Sequence, residues 1–104
     1  MDQHFVHNEA FALEKGGSLP RLEVTYHTYG KKNDDASNVV WICHALTANA
    51  DVADWWPGMV GDGLAIDPAK YFIVCANIIG SCYGSSGPLS IDPVTSKPYF
   101  RLTP

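Results

Sequence analysis

Asn38-Val39-Val40-Trp41-Ile42-Cys43 is an almost unbroken apolar run, rich in β-branched residues and without alternation between apolar and polar positions. A run of this kind predicts a parallel β-strand that is buried on both faces. Tyr71-Phe72-Ile73-Val74-Cys75-Ala76-Asn77 has the same character and predicts a second buried strand. The 27 residues between them, 44–70, suit the crossover that two parallel strands require. Any helix in this crossover is predicted to be short or broken, because the segment contains Pro57, Gly58, Gly61 and Gly63.

The residues before the first run predict an antiparallel pair of strands. Between Leu22 and Tyr29, apolar positions alternate with Glu23, Thr25 and His27, which predicts a strand with one solvated face. Residues 5–13 are loosely apolar, and a glycine-rich break follows them, so we expect this segment to pair with the strand. An antiparallel pair followed by parallel strands predicts an α/β fold.

Composition and charge limit the classes of partner. The 104 residues suffice for one small domain, and 46% of them are hydrophobic, as in globular proteins. Eleven acidic residues against seven basic ones give a net charge of −4, which argues against a nucleic-acid or membrane partner. Neither a membrane span nor a signal peptide is expected. Cys43, Cys75 and Cys82 show no CxxC spacing, as is typical of a reduced, cytoplasmic protein.

The first candidate site follows the first buried strand, since ligands of open α/β sheets bind beyond the carboxyl ends of the strands. A strand that ends in His44 and turns at once is similar to the oxyanion loop of α/β hydrolases, in which a backbone N–H binds the negative oxygen of a tetrahedral intermediate. This interpretation assigns the N–H of Leu46 to the oxyanion hole and makes His44 a brace for the loop. The alternative is a plain turn that carries a partly buried histidine.

The second candidate site follows the second strand. Gly80-Ser81-Cys82-Tyr83-Gly84 matches a cysteine version of the G-x-S-x-G nucleophile elbow. A nucleophile elbow turns directly into a helix, whereas Ser85-Ser86-Gly87-Pro88 resists helix formation. No histidine follows His44, so Cys82 lacks a downstream base. The favoured interpretation is a glycine-rich loop that shapes a pocket, with a catalytic Cys82 as the alternative.

Other candidate residues favour structural roles. The four histidines lack metal-ligand spacing with one another and with the cysteines, so no metal site is predicted. Trp55-Trp56 is expected to pack, with ligand stacking as the alternative. The aspartates of the crossover are expected in turns and at helix ends, namely Asp51, Asp54, Asp62 and Asp67.

The order and spacing of these motifs carry a resemblance to one family. The specific motifs are His44-Ala45-Leu46-Thr47 and Cys82-Tyr83-Gly84-Ser85-Ser86-Gly87-Pro88, and Trp55-Trp56 lies between them. Shorter stretches agree with it as well, among them Leu13-Glu14-Lys15-Gly16-Gly17, Tyr26-His27-Thr28-Tyr29-Gly30 and Ile91-Asp92-Pro93-Val94. From about Phe11 to Pro104 the chain resembles the homoserine O-acetyltransferase family of α/β-hydrolase-fold acyltransferases. Ala48 departs from the family pattern, which typically has Gly at this position.

The resemblance implies that residues 1–104 form the N-terminal part of a single α/β-hydrolase domain, without its nucleophile elbow and lid. It also implies acyl transfer through a serine ester. Acetyl-CoA acylates the serine, and the hydroxyl of L-homoserine then accepts the acetyl group in a step of methionine biosynthesis, with a histidine base held by an aspartate. None of these three residues has a counterpart in the chain, so only the Leu46 N–H carries over. The chain alone is expected to be inactive, and poorly stable because its buried strands need partners.

The resemblance further implies small-molecule partners, acyl-CoA and homoserine, with acetyl-CoA as a substrate and no permanently bound cofactor. A cytoplasmic homodimer is expected for the full-length protein. Three alternatives stay open. The first is another reaction on the same scaffold, namely homoserine O-succinyl transfer, serine O-acetyl transfer or ester hydrolysis. The second is a stand-alone, non-catalytic binding module of 104 residues, and the third is a cysteine hydrolase that uses Cys82.

Overall fold

Six strands and one short helix make up the part of the chain that a computed structural model describes, residues 2–14 and 16–99. In chain order they are β1 (Asp2–His7), β2 (Phe11–Ala12), β3 (Ser18–Leu19), β4 (Leu22–Tyr29), β5 (Val39–Ile42), α1 (Val52–Trp55) and β6 (Phe72–Ala76). Four strands form one mixed sheet in the order β1-β4-β6-β5, while β2 and β3 form a separate hairpin. Lys15 and Pro104, which belong to the predicted family motifs and domain, lie outside the described residues.

The predicted pair of parallel strands is confirmed. β5 and β6 run parallel, with Val39 opposite Phe72 and Ile42 opposite Cys75. Their connection passes through α1, which has only four residues, so the prediction of a short helix in the crossover is also confirmed. The single turn ends at Trp56, just before Pro57 and Gly58, two residues that disfavour a helix interior.

The hydrophobic core lies between one face of the sheet and the crossover. Its fully enclosed centre is formed by Ile42, Val52, Ile73 and Cys75, from β5, α1 and β6. Partly buried side chains pack around this centre, namely Tyr29, Val40, Trp55, Val60 and Ile66. Burying such aliphatic side chains contributes about 1.5–3 kcal/mol each. The crossover therefore covers one face of the sheet even though it contains little regular structure.

The prediction that both parallel strands are buried on both faces holds for β6 and is wrong for β5. Ile73, Val74 and Cys75 of β6 are all buried. In β5, by contrast, Trp41 is 61% exposed and Val39 is 41% exposed. β5 is an edge strand of the sheet, and only one of its faces packs against the hydrophobic core. The apolar run therefore does not mean that both faces of the strand are buried.

The predicted antiparallel pair is confirmed in part. β1 pairs with β4 from Asp2 opposite His27 to His7 opposite Leu22. The pairing stops at His7, and residues 11–12 instead join residues 18–19 in the β2–β3 hairpin, so the predicted pairing of the whole segment 5–13 with β4 is wrong. The polar residues Asn8 and Glu9 interrupt the apolar pattern between the two elements.

The predicted solvated face of β4 is also wrong. Leu22 is buried, and every other residue of the strand is only partly exposed. β4 lies inside the sheet between β1 and β6, and a loop that follows β6 bonds to the backbone of Glu23 and Thr25 and contacts the Thr25 side chain. The described part of the chain contains no helix long and apolar enough to cross a membrane.

We expect Gly30→Ala to destabilise the fold more than Gly16→Ala. Both glycines have positive φ, at 81° and 105°, so both substitutions introduce backbone strain. A Cβ at Gly30 would overlap the carbonyl oxygens of Tyr71 and Pro68, whereas a Cβ at Gly16 would meet nothing within 4 Å. Overlap with backbone adds about 1–3 kcal/mol to the loss of stability. Urea unfolding of the two variants measures this difference, and equal losses would contradict the close approach at Gly30.

Candidate functional site

Two loops meet at the carboxyl edge of the parallel pair. We call residues 43–51, which follow β5, the β5 loop, and residues 77–87, which follow β6, the β6 loop. An open depression of about 590 Å³ lies between them. It is lined by His44, Leu46, Thr47, Ala48, Ile78, Ile79, Gly80, Ser81, Cys82 and Tyr83. The structure therefore brings both sequence-predicted sites to one cavity.

Leu46 occupies a tight turn at the rim of this depression. The turn is closed by a hydrogen bond from the N–H of Ala48 to the carbonyl of Ala45, at 2.9 Å. The Leu46 side chain is 98% exposed, and its N–H donates to no other described residue. Ala48 is not among the non-glycine residues with positive φ, which are Ala36 and Ser96 in the described ranges. The turn thus accepts Ala at position 48 without backbone strain and leaves the Leu46 amide unpaired.

His44 connects the two loops. Its Nε2 accepts a hydrogen bond from the N–H of Ile78 at 3.1 Å, and its Nδ1 lies 2.8 Å from the carbonyl oxygen of Ala45. Since a nitrogen that accepts cannot carry the proton, these partners assign the neutral tautomer with the proton on Nδ1. Both ring nitrogens are occupied, and the ring links the β5 loop to the β6 loop.

Asn77 is the polar centre of the site. Its side chain is almost fully enclosed, with 4% exposure. Oδ1 accepts from the N–H of Ala50 at 2.8 Å. Nδ2 donates to Thr25 Oγ1 at 2.8 Å and to the carbonyl of Tyr83 at 3.0 Å. One amide therefore connects the β5 loop, the β6 loop and β4, and each of its polar atoms is satisfied as burial requires.

The β6 loop returns to β4 through two buried serines. Ser85 Oγ accepts from the N–H of Thr25 at 3.1 Å and donates to the carbonyl of Asn77 at 2.6 Å. Ser86 Oγ accepts from the N–H of Glu23 at 2.8 Å, and the N–H of Ser86 donates to the carbonyl of Glu23 at 2.7 Å. The N–H of Asn77 donates to the carbonyl of Thr25, and beyond Asn77 the serine hydroxyls accept the N–H groups of β4.

Gly84 allows this return because the loop passes very close to β4. Its φ is 98°, and a Cβ there would lie 2.7 Å from Thr25 Cγ2 and 2.8 Å from Thr25 Oγ1. Both the positive φ and the short distance to Thr25 therefore favour glycine over any other residue at position 84. The glycine-rich loop shapes the cavity, which agrees with the favoured interpretation of its sequence.

Cys82 lies in the exposed part of the β6 loop, and no helix follows it before residue 99. The strand-turn-helix geometry of a nucleophile elbow is therefore absent at Cys82. In the described ranges no group of three His, Cys, Asp or Glu side chains is arranged to hold a metal ion.

Trp55 and Asp67 of the crossover make structural contacts, as predicted for them. Trp55 packs against the core and donates from Nε1 to the carbonyl of Asn49 at 2.7 Å. Its ring stacks on that of Trp56, with 5.8 Å between the ring centroids. Asp67 accepts backbone N–H groups from Ala69 and Gly63, which lowers the pKa of its carboxyl group. Trp56 remains 41% exposed.

Asp51 lies at the start of α1 but makes no side-chain cap. Instead its Oδ1 accepts a hydrogen bond from the Tyr29 hydroxyl at 3.0 Å. Burial, and then this carboxylate, raise the pKa of Tyr29, although a hydrogen bond from the N–H of Ala53 opposes the shift. Asp51 thus joins β4 to the crossover rather than capping the helix.

Sequence reasoning missed Asn77, Ser85 and Ser86 as the residues that shape the site. One signal was available: an asparagine at the end of a buried apolar run must find partners for its amide. The identity of those partners, up to 52 residues away in the chain, is not encoded in any local pattern.

The chain is similar in sequence to homoserine O-acetyltransferases. Among the similar curated proteins is a homoserine O-acetyltransferase from Chlorobaculum parvum, 55% identical over 91 residues. The match covers 88% of this chain and 26% of the relative. A second, from Chlorobaculum tepidum, is 50% identical over 97 residues, covering 93% of this chain and 27% of the relative. The chain thus spans about a quarter of the length of the curated relatives it matches, and no family model matches it.

Solved structures of similar proteins identify the fold. A homoserine O-acetyltransferase from Bacillus anthracis superimposes with a TM-score of 0.83 at 30% identity, covering 95% of this chain and 30% of that one. Esterase E22 superimposes with a TM-score of 0.76 at 27% identity, covering 95% of this chain and 32% of that one. The described sheet is therefore an incomplete N-terminal portion of an α/β-hydrolase fold, as predicted.

We expect Asn77→Ala to lower the free energy of unfolding by about 2–4 kcal/mol, because it removes the partner of the buried Ala50 N–H and several further hydrogen bonds. Asn8→Ala is the matched control, since Asn8 is exposed and has no hydrogen bond in the described structure. Its stability should stay within about 0.5 kcal/mol of the parent. Urea unfolding tests this expectation, which fails if both variants behave alike.

We expect two of the three thiols to react with a thiol reagent in the native state. Cys43 and Cys82 are exposed, whereas Cys75 is buried. Burial, and to a lesser extent the nearby Cys43, raise the pKa of Cys75 to about 11, so its thiol stays protonated at pH 8. Titration with Ellman's reagent at pH 8 should give two groups, and a third only in denaturant. Rapid reaction of all three without denaturant would contradict the core packing.

Proposed function

This chain belongs to the homoserine O-acetyltransferase family over the quarter of the relatives' length that it spans, and we propose that it supplies the oxyanion-binding edge of an enzyme that moves an acetyl group from acetyl-CoA to the hydroxyl of L-homoserine. The observation that carries the proposal is the unpaired N–H of Leu46 at the rim of the depression between the β5 and β6 loops. A backbone amide with no partner at the carboxyl edge of parallel strands suits a ligand oxygen.

The chemistry assigned to this amide is stabilisation of negative charge. In each half-reaction an oxygen nucleophile adds to the acetyl carbonyl, first the serine and then the homoserine hydroxyl, and the carbonyl oxygen becomes an oxyanion. A base takes the proton of the attacking hydroxyl and returns it to the leaving group when the carbonyl forms again. The Leu46 N–H donates to the oxyanion, and because the turn fixes its direction, no reorganisation is needed during the reaction.

The serine, histidine and aspartate of this mechanism belong, on this proposal, to the three quarters of the relatives' length that the chain does not span. The chain by itself is therefore inactive. The proposal further includes small-molecule substrates, no permanently bound cofactor, a homodimeric full-length protein and a cytoplasmic location.

A second candidate function is ester hydrolysis on the same scaffold. The superposition with esterase E22, at a TM-score of 0.76, supports it. The oxyanion contribution of Leu46 would be the same, and water would replace homoserine as the acceptor of the acyl group. The proportion of acetyl transfer to hydrolysis in an active enzyme separates the two functions.

We expect a chimera to be active in which this chain replaces the aligned quarter of the Chlorobaculum parvum homoserine O-acetyltransferase. In the chimera, Leu46→Pro should lower kcat by about 10²–10³-fold, because proline lacks the N–H that binds the oxyanion. Proline suits the second position of the turn 45–48. Leu46→Ala is the matched control, since it keeps the N–H and truncates a side chain that is 98% exposed. The assay follows CoA release and O-acetylhomoserine formation.

Three outcomes of this experiment would contradict the proposal. The first is a Leu46→Pro chimera that melts at the parent temperature and keeps its activity. The second is equal loss of activity in the two Leu46 variants. The third is loss of activity in Cys82→Ala, which would instead favour the cysteine hydrolase. CoA release without acetylhomoserine would favour the esterase.

A further inference from the structure

We propose that His44 is a positioning residue that locks the β5 loop to the β6 loop and thereby sets the direction of the Leu46 amide. The proposal rests on the function proposed above, since the direction of the amide matters only if an oxyanion binds there. It concerns His44 as a neutral ring with its proton on Nδ1, and it assigns the ring no part in proton transfer.

The first step is the pair of hydrogen bonds at the ring. The Ile78 N–H donates to Nε2 at 3.1 Å, so Nε2 must carry a lone pair. Nδ1, at 2.8 Å from the carbonyl of Ala45, must then carry the proton and donate it. The ring spans 34 residues of sequence and connects the peptide before Leu46 to the first residue beyond Asn77.

The second step is that the two ends of the β5 loop are held by consecutive residues. At its start, His44 accepts from the N–H of Ile78. At its end, the N–H of Ala50 donates to Asn77 Oδ1 at 2.8 Å. Residues 77 and 78 therefore clamp both ends of the loop that carries Leu46.

The third step is that side-chain packing does not hold the middle of this loop. Residues 45–47 are all exposed, and Leu46 is 98% exposed, so burial does not fix them. Near its end the loop is also held by the bond from Trp55 Nε1 to the carbonyl of Asn49, whereas on the β5 side of Leu46 the bond from Ile78 to His44 ties it to the β6 loop. Small errors in the position of a catalytic donor lower rates strongly, which makes such a clamp important for catalysis.

The test compares His44→Gln with His44→Asn in the chimera. Glutamine places an acceptor near the position of Nε2 and can restore the bond to Ile78, whereas asparagine reaches only the position of Nδ1. We expect His44→Asn to lower kcat about tenfold or more with KM within about twofold, and His44→Gln to recover most of the loss. Equal kcat values in the two variants would overturn the proposal, as would activity in His44→Asn equal to the parent.

A spectroscopic readout makes the result independent of activity. In the full chain labelled with ¹⁵N at His and Ile, the ring of His44 should show a protonated Nδ1 and an unprotonated Nε2. The amide signal of Ile78 should shift and exchange faster with solvent in His44→Asn, while the amide of Asn77, which donates to Thr25, stays unchanged in a uniformly labelled sample. The same labels in the chimera allow the measurement if the chain does not fold by itself. A proton on Nε2, or an unaltered Ile78 amide, would overturn the proposal.

The two readouts distinguish failure of this proposal from failure of the proposed function. An inactive parent chimera with the expected His44 tautomer and Ile78 response would count against acetyl transfer and leave the clamp supported. An active chimera in which Leu46→Pro is impaired but both His44 variants equal the parent would support the function and overturn the clamp.

Discussion

The buried amide of Asn77 is the constraint on which the rest of the site depends. It lies at the carboxyl end of β6, and its polar atoms bind groups from three separate segments, the β5 loop, the β6 loop and β4. A buried amide without partners costs several kcal/mol, so the chain is stable only when these segments converge on it. The residue therefore fixes both loops relative to the sheet.

Convergence on Asn77 explains why the β6 loop folds back instead of continuing outward. Beyond Ala76 the backbone N–H of Asn77 still donates to the carbonyl of Thr25, and the hydroxyls of Ser85 and Ser86 then accept the N–H groups of Thr25 and Glu23. Gly84 permits the close approach because a side chain there would overlap Thr25. The depression between the two loops is thus a consequence of satisfied hydrogen bonds at its base.

The described part of the chain has an uneven distribution of burial. One face of the sheet is covered by the crossover, while Trp41 and Val39 of the edge strand remain open on the other. The match covers only about a quarter of the length of the relatives. The sheet is therefore covered on one face only, next to the unpaired amide of Leu46. This is what an incomplete portion of an α/β-hydrolase domain should show.

The sequence by itself determined the elements whose causes are local. The two apolar runs predicted β5 and β6, because β-branched residues in an unbroken run favour strands at any position in a sheet. Pro57 and the nearby glycines predicted the short helix, since both residue types disfavour helices through their own backbone. The motifs around His44 and Cys82 predicted the family, which the relatives confirm, whereas the oxyanion role of Leu46 stays a prediction.

Only the tertiary structure decided which segments meet. The exposure of Trp41 depends on β5 being the edge strand, and the contact that partly covers Thr25 of β4 depends on the returning β6 loop. Asn77 binds Ala50 and Thr25, which lie 27 and 52 residues away, and His44 binds Ile78, which lies 34 residues away. Their other partners, Tyr83 and Ala45, are close in sequence. The physical reason is that propensity and hydrophobic period act over a few residues, whereas satisfying a buried polar group requires a long-range encounter that no short stretch of sequence specifies.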